Sequence, residues 1–167
     1  FMEAGFSDGF VAKINPDNAT VLWATYVGDD DTGSIEVRSL AAGSPGSVLV
    51  GGWTNSRWLA STEGVIQEEF AGGTPLNALG DGFVVSLSST TGTLVWSTYF
   101  GGSGDDFVNV LRSTPDGDIL IGGETNSTDF PVTAGVLQGG FGSAYLFVYD
   151  GFVARISGDG RILRWST

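Results

Sequence analysis

Two glycine-rich stretches cluster carboxylates: Asp29, Asp30 and Asp31 in GDDDTG, and Asp105 and Asp106 in GGSGDD. Hard cations such as Ca²⁺ take about six to eight oxygens, and clustered Asp in a Gly-rich loop can supply several. The D-x-[DN]-x-[DN]-G spacing of an EF-hand is absent. The competing role is a turn, whose conformations Asp and Gly tolerate and whose main-chain amides Asp can bind. The expectation is the turn, with these five carboxylates held as the candidate Ca²⁺ ligands.

Other chemistry finds less support. Glycoside hydrolysis needs two carboxyl groups about 5–10 Å apart. Glu63, Glu68 and Glu69 lie in one connection and Glu124 far along the chain, and nothing in the spacing converges them. Trp23, Trp96 and Trp165 recur and could stack on sugar rings. Packing between sheets is the expected role, because aromatic side chains bury large areas. Trp53 and Trp58 do not recur, lie near a loop, and are the better candidates for exposed contacts. The sequence contains no His and no Cys. It therefore offers no Ser-His-Asp triad, imidazole or thiolate metal site, or disulfide framework.

Composition sets the frame for these residues. The 167 residues are 41% hydrophobic and carry a formal charge of −12, from 7 Lys+Arg against 19 Asp+Glu. That is a globular composition rather than a disordered one. The scattered basic residues offer no surface for a phosphate backbone, so nucleic acid is not an expected partner. No apolar run approaches the roughly 18 residues of a membrane span, so none is expected. The 27 glycines among short Val/Ile/Leu runs point to many strands joined by tight turns.

The elements that position these residues are repeated. SDGFVAKI begins at Ser7, GDGFVVSL at Gly80 and YDGFVARI at Tyr149, which puts the shared Asp at 8, 81 and 150. A Trp follows each Asp by 15 residues, in LWATY, VWSTY and RWST. An invariant spacing of this kind predicts one rigid hairpin per copy. Alternation puts Phe10, Ala12 and Ile14 on one face, matched by Phe83, Val85, Leu87 and by Phe152, Ala154, Ile156. Lys13, Ser86 and Arg155 face the other way. VRS at 37–39 matches LRS at 111–113, VLVGGWTNS matches ILIGGETNS, and TEGVIQ matches TAGVLQ. Each unit is thus four short strands and one longer connection, in which the T-x-G-V-[IL]-Q phrase is a candidate helical turn. A long period with four strands per unit predicts propeller blades.

DGFVAKIN, LVWSTYFGGSGDD, GGETNSTDFP and TAGVLQ, recurring in this order over nearly the whole chain, resemble the bacterial β-propeller repeat family often labelled SBBP. The first copy departs from the pattern, with GDDDTG for GGSGDD and TNSRWLAST for TNSTDFPVT. The resemblance implies an all-β fold of four-stranded antiparallel blades, about two and a half in number. Residues 1–27 would be the outer hairpin of a preceding blade. Residues 28–99 and 100–167 would be full blades, with long connections at 54–80 and 125–149. Phe10, Trp23, Phe83, Trp96, Phe152 and Trp165 would pack blade against blade.

Propellers typically close with about 4–8 blades. Two and a half leave two apolar faces of roughly 400 Å² each, from strand spacing and length, more than a soluble monomer usually exposes. The expectation is a segment of a longer protein, or one that assembles with copies of itself. The resemblance implies a secreted or cell-surface bacterial protein with a non-catalytic structural, adhesion or assembly role. Its partners would be other blades or copies of itself, and it would need no cofactor apart from the Ca²⁺ alternative. Polysaccharide binding or degradation through loops such as 53–80, and growth into a filament, are the other readings.

Overall fold

The computed structural model describes residues 7–28, 33–57, 59–72, 80–142 and 148–167. These form ten strands in three antiparallel sheets. β1 (Gly9–Ile14) and β2 (Val21–Val27) make a two-stranded hairpin. β3 (Ile35–Ala42), β4 (Ser47–Thr54), β5 (Asp81–Ser88) and β6 (Leu94–Phe100) make a four-stranded meander. β7 (Asp106–Ser113), β8 (Ile119–Thr125), β9 (Asp150–Ile156) and β10 (Leu163–Ser166) make a second. Among the described residues no helix is long and apolar enough to cross a membrane.

The constant Asp-to-Trp spacing corresponds to a constant register. Trp23 stands opposite Lys13, Trp96 opposite Ser86 and Trp165 opposite Arg155, each beside a bulge. The first residue of β3, and likewise of β7, donates to a carbonyl just ahead of the DGF strand of the preceding sheet. The Ile35 amide donates to the Ser7 carbonyl at 2.7 Å, and the Asp106 amide to the Gly80 carbonyl at 2.8 Å.

Two hydrophobic cores fill the two junctions. Val11 and Val27 of the hairpin pack with Val50, Phe83, Val85 and Tyr99. Val84, Trp96 and Phe100, from the other face of that sheet, pack with Val108, Phe152, Ala154 and Ile156. Every unit therefore has a leading face, carrying the DGF phenylalanine, and a trailing face, carrying the valine after it. β5 is covered on both sides, which is why Phe83 and Val84 are equally buried. Among the described residues, no sheet packs on the leading face of β1 or the trailing face of β9.

Phe10, expected to pack between blades, is accordingly 70% exposed. A face becomes core only when a second face meets it, and strand periodicity does not say whether one does. The T-x-G-V-[IL]-Q phrase is also not a helical turn. It is a tight turn with Gly64 and Gly135 in the left-handed region, at φ +78° and +79°, leading into extended chain.

Candidate functional site

Asp105 and Asp106 sit where the two four-stranded sheets meet, and their carboxylates are engaged by the protein itself. The Asp106 carboxylate accepts hydrogen bonds from the Thr125 hydroxyl, from the Ser127 hydroxyl at 2.8 Å and from the Gly102 amide at 2.8 Å. Asp105 accepts from the Gly80 amide at 3.0 Å and from the Tyr149 hydroxyl at 3.2 Å. Asp129 closes the same loop by accepting from the Ser103 amide and hydroxyl at 2.8 and 2.9 Å. The GGSGDD loop is thus the turn that enters β7, tied to TNSTD at the end of β8. No group of three or more acidic side chains is arranged to hold a metal among the described residues. Asp29, Asp30 and Asp31 lie outside the described residues.

Asp81 is the other buried carboxylate, and it belongs to the DGF phrase. Its Oδ2 accepts from Gln67 Nε2 at 2.7 Å and from the Ala71 amide at 2.9 Å, while Oδ1 is buried with no partner among the described residues. Burial, reinforced by the nearby charge of Asp106, pushes its pKa up to about 7. Burial also raises Asp106, against the donors from Thr125, Gly102 and Ser127. Perturbed acids often mark catalytic sites. Here both side chains are fully buried, and each is held by hydrogen bonds from within the protein.

The same clamp recurs one unit on. Asp150 Oδ2 accepts from Gln138 Nε2 at 2.9 Å and from the Gly142 amide at 2.8 Å. The two glutamines close the T-x-G-V-[IL]-Q phrases, whose main chain lies along the outer strand. Gln67 N donates to Thr98 Oγ1 at 3.0 Å and the Thr62 amide to the Ser97 carbonyl at 3.1 Å. Gln138 N donates to Thr167 Oγ1 at 2.9 Å and the Thr133 amide to the Ser166 carbonyl at 3.1 Å. Three phrases distant in sequence (T-x-G-V-[IL]-Q, DGF and W-[SA]-T) are therefore one structural device. Each phrase is visible in the sequence but the contact is not, because a Gln and an Asp separated by a connection carry no periodic signal.

The recurring tryptophans pack forward onto the next hairpin. A Cβ on Gly92 would lie 2.6 Å from the Trp23 ring, and one on Gly160 would lie 2.7 Å from the Trp96 ring. Both glycines have left-handed backbone, at φ +74° and +72°. Trp23 Nε1 also donates to the Ser89 carbonyl at 3.2 Å, beside Lys13 Nζ at 2.8 Å. Trp165 is half-buried at the trailing end. Trp53, expected as an exposed contact, stacks on Phe107 with ring centroids 5.9 Å apart. Its indole nitrogen is buried. Trp58 lies outside the described residues.

A small polar cluster that spacing did not reveal lies on the first strands of the two large sheets. β3 and β7 each carry a bulge, at Arg38 and at Asn109. A bulge re-aims its side chain, and here the two meet, Arg38 Nη1 donating to Asn109 Oδ1 at 3.0 Å. Arg38 also pairs with Glu36 at 3.1 Å and lies 4.3 Å from the Phe107 ring centroid. Glu124 reaches Asn109 at 3.4 Å. Of the other carboxylates, Glu68 accepts from the Gly64 amide at 2.6 Å, and Glu63 and Glu69 are exposed in the same connection. These groups do not converge on a cleft.

No family model matches the chain, and no curated protein matches it.

Proposed function

We propose that this chain is a non-catalytic β-propeller repeat segment, a structural module that joins to further repeats of its own kind through its two outer faces. In this reading the four-stranded sheets are blades and the hairpin is the outer half of another. One contrast carries it. Phe83 and Tyr99, on a leading face that meets another unit, are 0% and 1% exposed, whereas their counterparts Phe10 and Tyr26 are 70% and 79% exposed. The trailing faces show the same difference, Val84 at 0% against Val153 at 46%. Apolar faces of this kind mark interaction surfaces, and here the chain itself contains the complementary face twice over.

Sedimentation velocity over a range of concentrations tests this. The chain is expected to associate, and Phe10→Glu with Tyr26→Glu to abolish association while leaving the melting temperature within a few degrees. A wild-type chain that stays monomeric at high concentration overturns the reading.

A further inference from the structure

The first junction contains a groove that the second junction shows how to fill. It has a volume of about 380 Å³ and runs beside the outer edge of β2, lined by Ala24, Thr25, Leu59, Val85, Leu87 and Gly92. Each lining residue has a counterpart one unit further on. Leu59 corresponds to Phe130, Val85 to Ala154 and Leu87 to Ile156, while Ala24 and Thr25 correspond to Ser97 and Thr98, and Gly92 and Gly160 are the turn glycines that lie against Trp23 and Trp96.

At that second junction the equivalent space is occupied by the chain's own T-x-G-V-[IL]-Q segment. Ile66 packs against the core that contains Phe130, Ala154 and Ile156, and its amide donates to the Gly160 carbonyl at 2.9 Å. Thr62 and Gln67 bind Ser97 and Thr98 on the outer strand. Leu137, the counterpart of Ile66 in the last unit, is 98% exposed.

We infer that the groove beside β2 is a binding seat for a T-x-G-V-[IL]-Q segment of another repeat. The branched apolar side chain would enter between Leu59, Val85 and Leu87, and its amide would reach the main chain of the Thr91–Gly92 turn, which also lines the groove. The flanking Thr and Gln would bind the main chain of Ala24 and the hydroxyl of Thr25, which otherwise points to the Tyr26 carbonyl at 3.2 Å. Beside Gly92 the seat also touches the turn on which Trp23 packs, so a seated segment would brace the whole junction. The partner is thus identified by its sequence chemistry, an extended apolar-plus-amide segment that needs no charge. This rests on the reading that repeats of this kind join.

The test uses the full chain and a synthetic peptide spanning residues 60–70, followed by NMR amide shifts and calorimetry. Saturable binding is expected, with shifts centred on Ala24, Thr25 and Gly92 and a raised melting temperature. A peptide carrying Ile66→Asp should bind about tenfold more weakly or worse, since it loses a buried aliphatic side chain. Thr25→Val in the chain should weaken the wild-type peptide several-fold without changing the fold. No binding at millimolar peptide, equal binding of the Asp peptide, or shifts elsewhere would overturn the seat. If the peptide fails while the chain still associates through Phe10, the seat falls and the joining of repeats stands. If the peptide binds and the chain never associates, the seat stands and the joining falls.

Discussion

Gln67 and Asp81 are joined by a 2.7 Å hydrogen bond that pins the end of one connection to the start of the next strand. Gln138 and Asp150 repeat it at 2.9 Å. The bond makes the connection part of the sheet: with Gln67 fixed, residues 62–67 run along β6 and cover Ser97 and Thr98, which are buried. The two copies differ in setting, because Asp81 is fully buried at a junction and Asp150 lies at the open trailing end.

That difference predicts unequal mutational cost. Gln67→Ala removes a donor from a buried carboxylate and should destabilise by about 2–3 kcal/mol. Gln138→Ala, where water can replace the amide, should cost under about 1 kcal/mol. Urea unfolding of both variants checks this, and equal losses would contradict it.

Asp81 should also make stability fall with rising pH. Its folded pKa of about 7 lies above the ordinary carboxylate value. Between roughly pH 4 and 7 the native state therefore holds a proton that the unfolded chain has lost. Stability should decline across that window and level off above it, by about 4 kcal/mol at most. Asp106, also raised by burial, acts in the same direction. Asp129 and Asp159, held low by the Ser103 amide and the Ser157 hydroxyl, lose their contribution only as pH falls below about 4. Asp81→Asn keeps an acceptor for Gln67 and Ala71 and should flatten the slope between pH 4.5 and 7.5. An unchanged slope would assign the proton elsewhere.

The hairpin turns give a paired prediction. Gly160→Ala forces a methyl against the Trp96 ring in left-handed backbone, and should cost about 2 kcal/mol or more. Ala19 holds in the first hairpin the turn position that Gly92 holds in the second, its amide donating to the Asn15 carbonyl as that of Gly92 does to Ser88, and at φ +57° it is the one described non-glycine residue with left-handed backbone. Ala19→Gly should therefore stabilise by up to about 1 kcal/mol. Thermal melts of the two variants should move in opposite directions.

Millimolar Ca²⁺ should leave the melting midpoint unchanged, since Asp105 and Asp106 already accept hydrogen bonds from Gly80, Tyr149, Thr125, Gly102 and Ser127. A midpoint that climbs with Ca²⁺ would mean that an acidic loop binds the ion.

The repeat made much of this architecture legible. The alternation in DGFVVSL and DGFVARI placed Phe83 and Phe152 on core faces, and the fixed Asp-to-Trp spacing matches three hairpins of one register. Phe10 reads the same way yet stands exposed, because burial depends on a neighbouring sheet that strand periodicity does not encode. The bulges at Arg38 and Asn109 were invisible because VRS and LRS read as ordinary strand. The Gln67–Asp81 clamp was hidden for a different reason: it links two phrases through a connection of variable sequence.

Disulfide trapping shows whether a leading face receives a trailing face. The sequence has no Cys, so Phe10→Cys and Val153→Cys each introduce a single thiol. Val84 and Phe152 share one core at the second junction, and Val153 and Phe10 are their counterparts on the open faces. Under mild oxidation, a mixture of the two variants should yield the mixed Phe10→Cys–Val153→Cys dimer well above either self-paired dimer. Absence of the mixed species, or self-pairing of Phe10→Cys alone, would contradict the account.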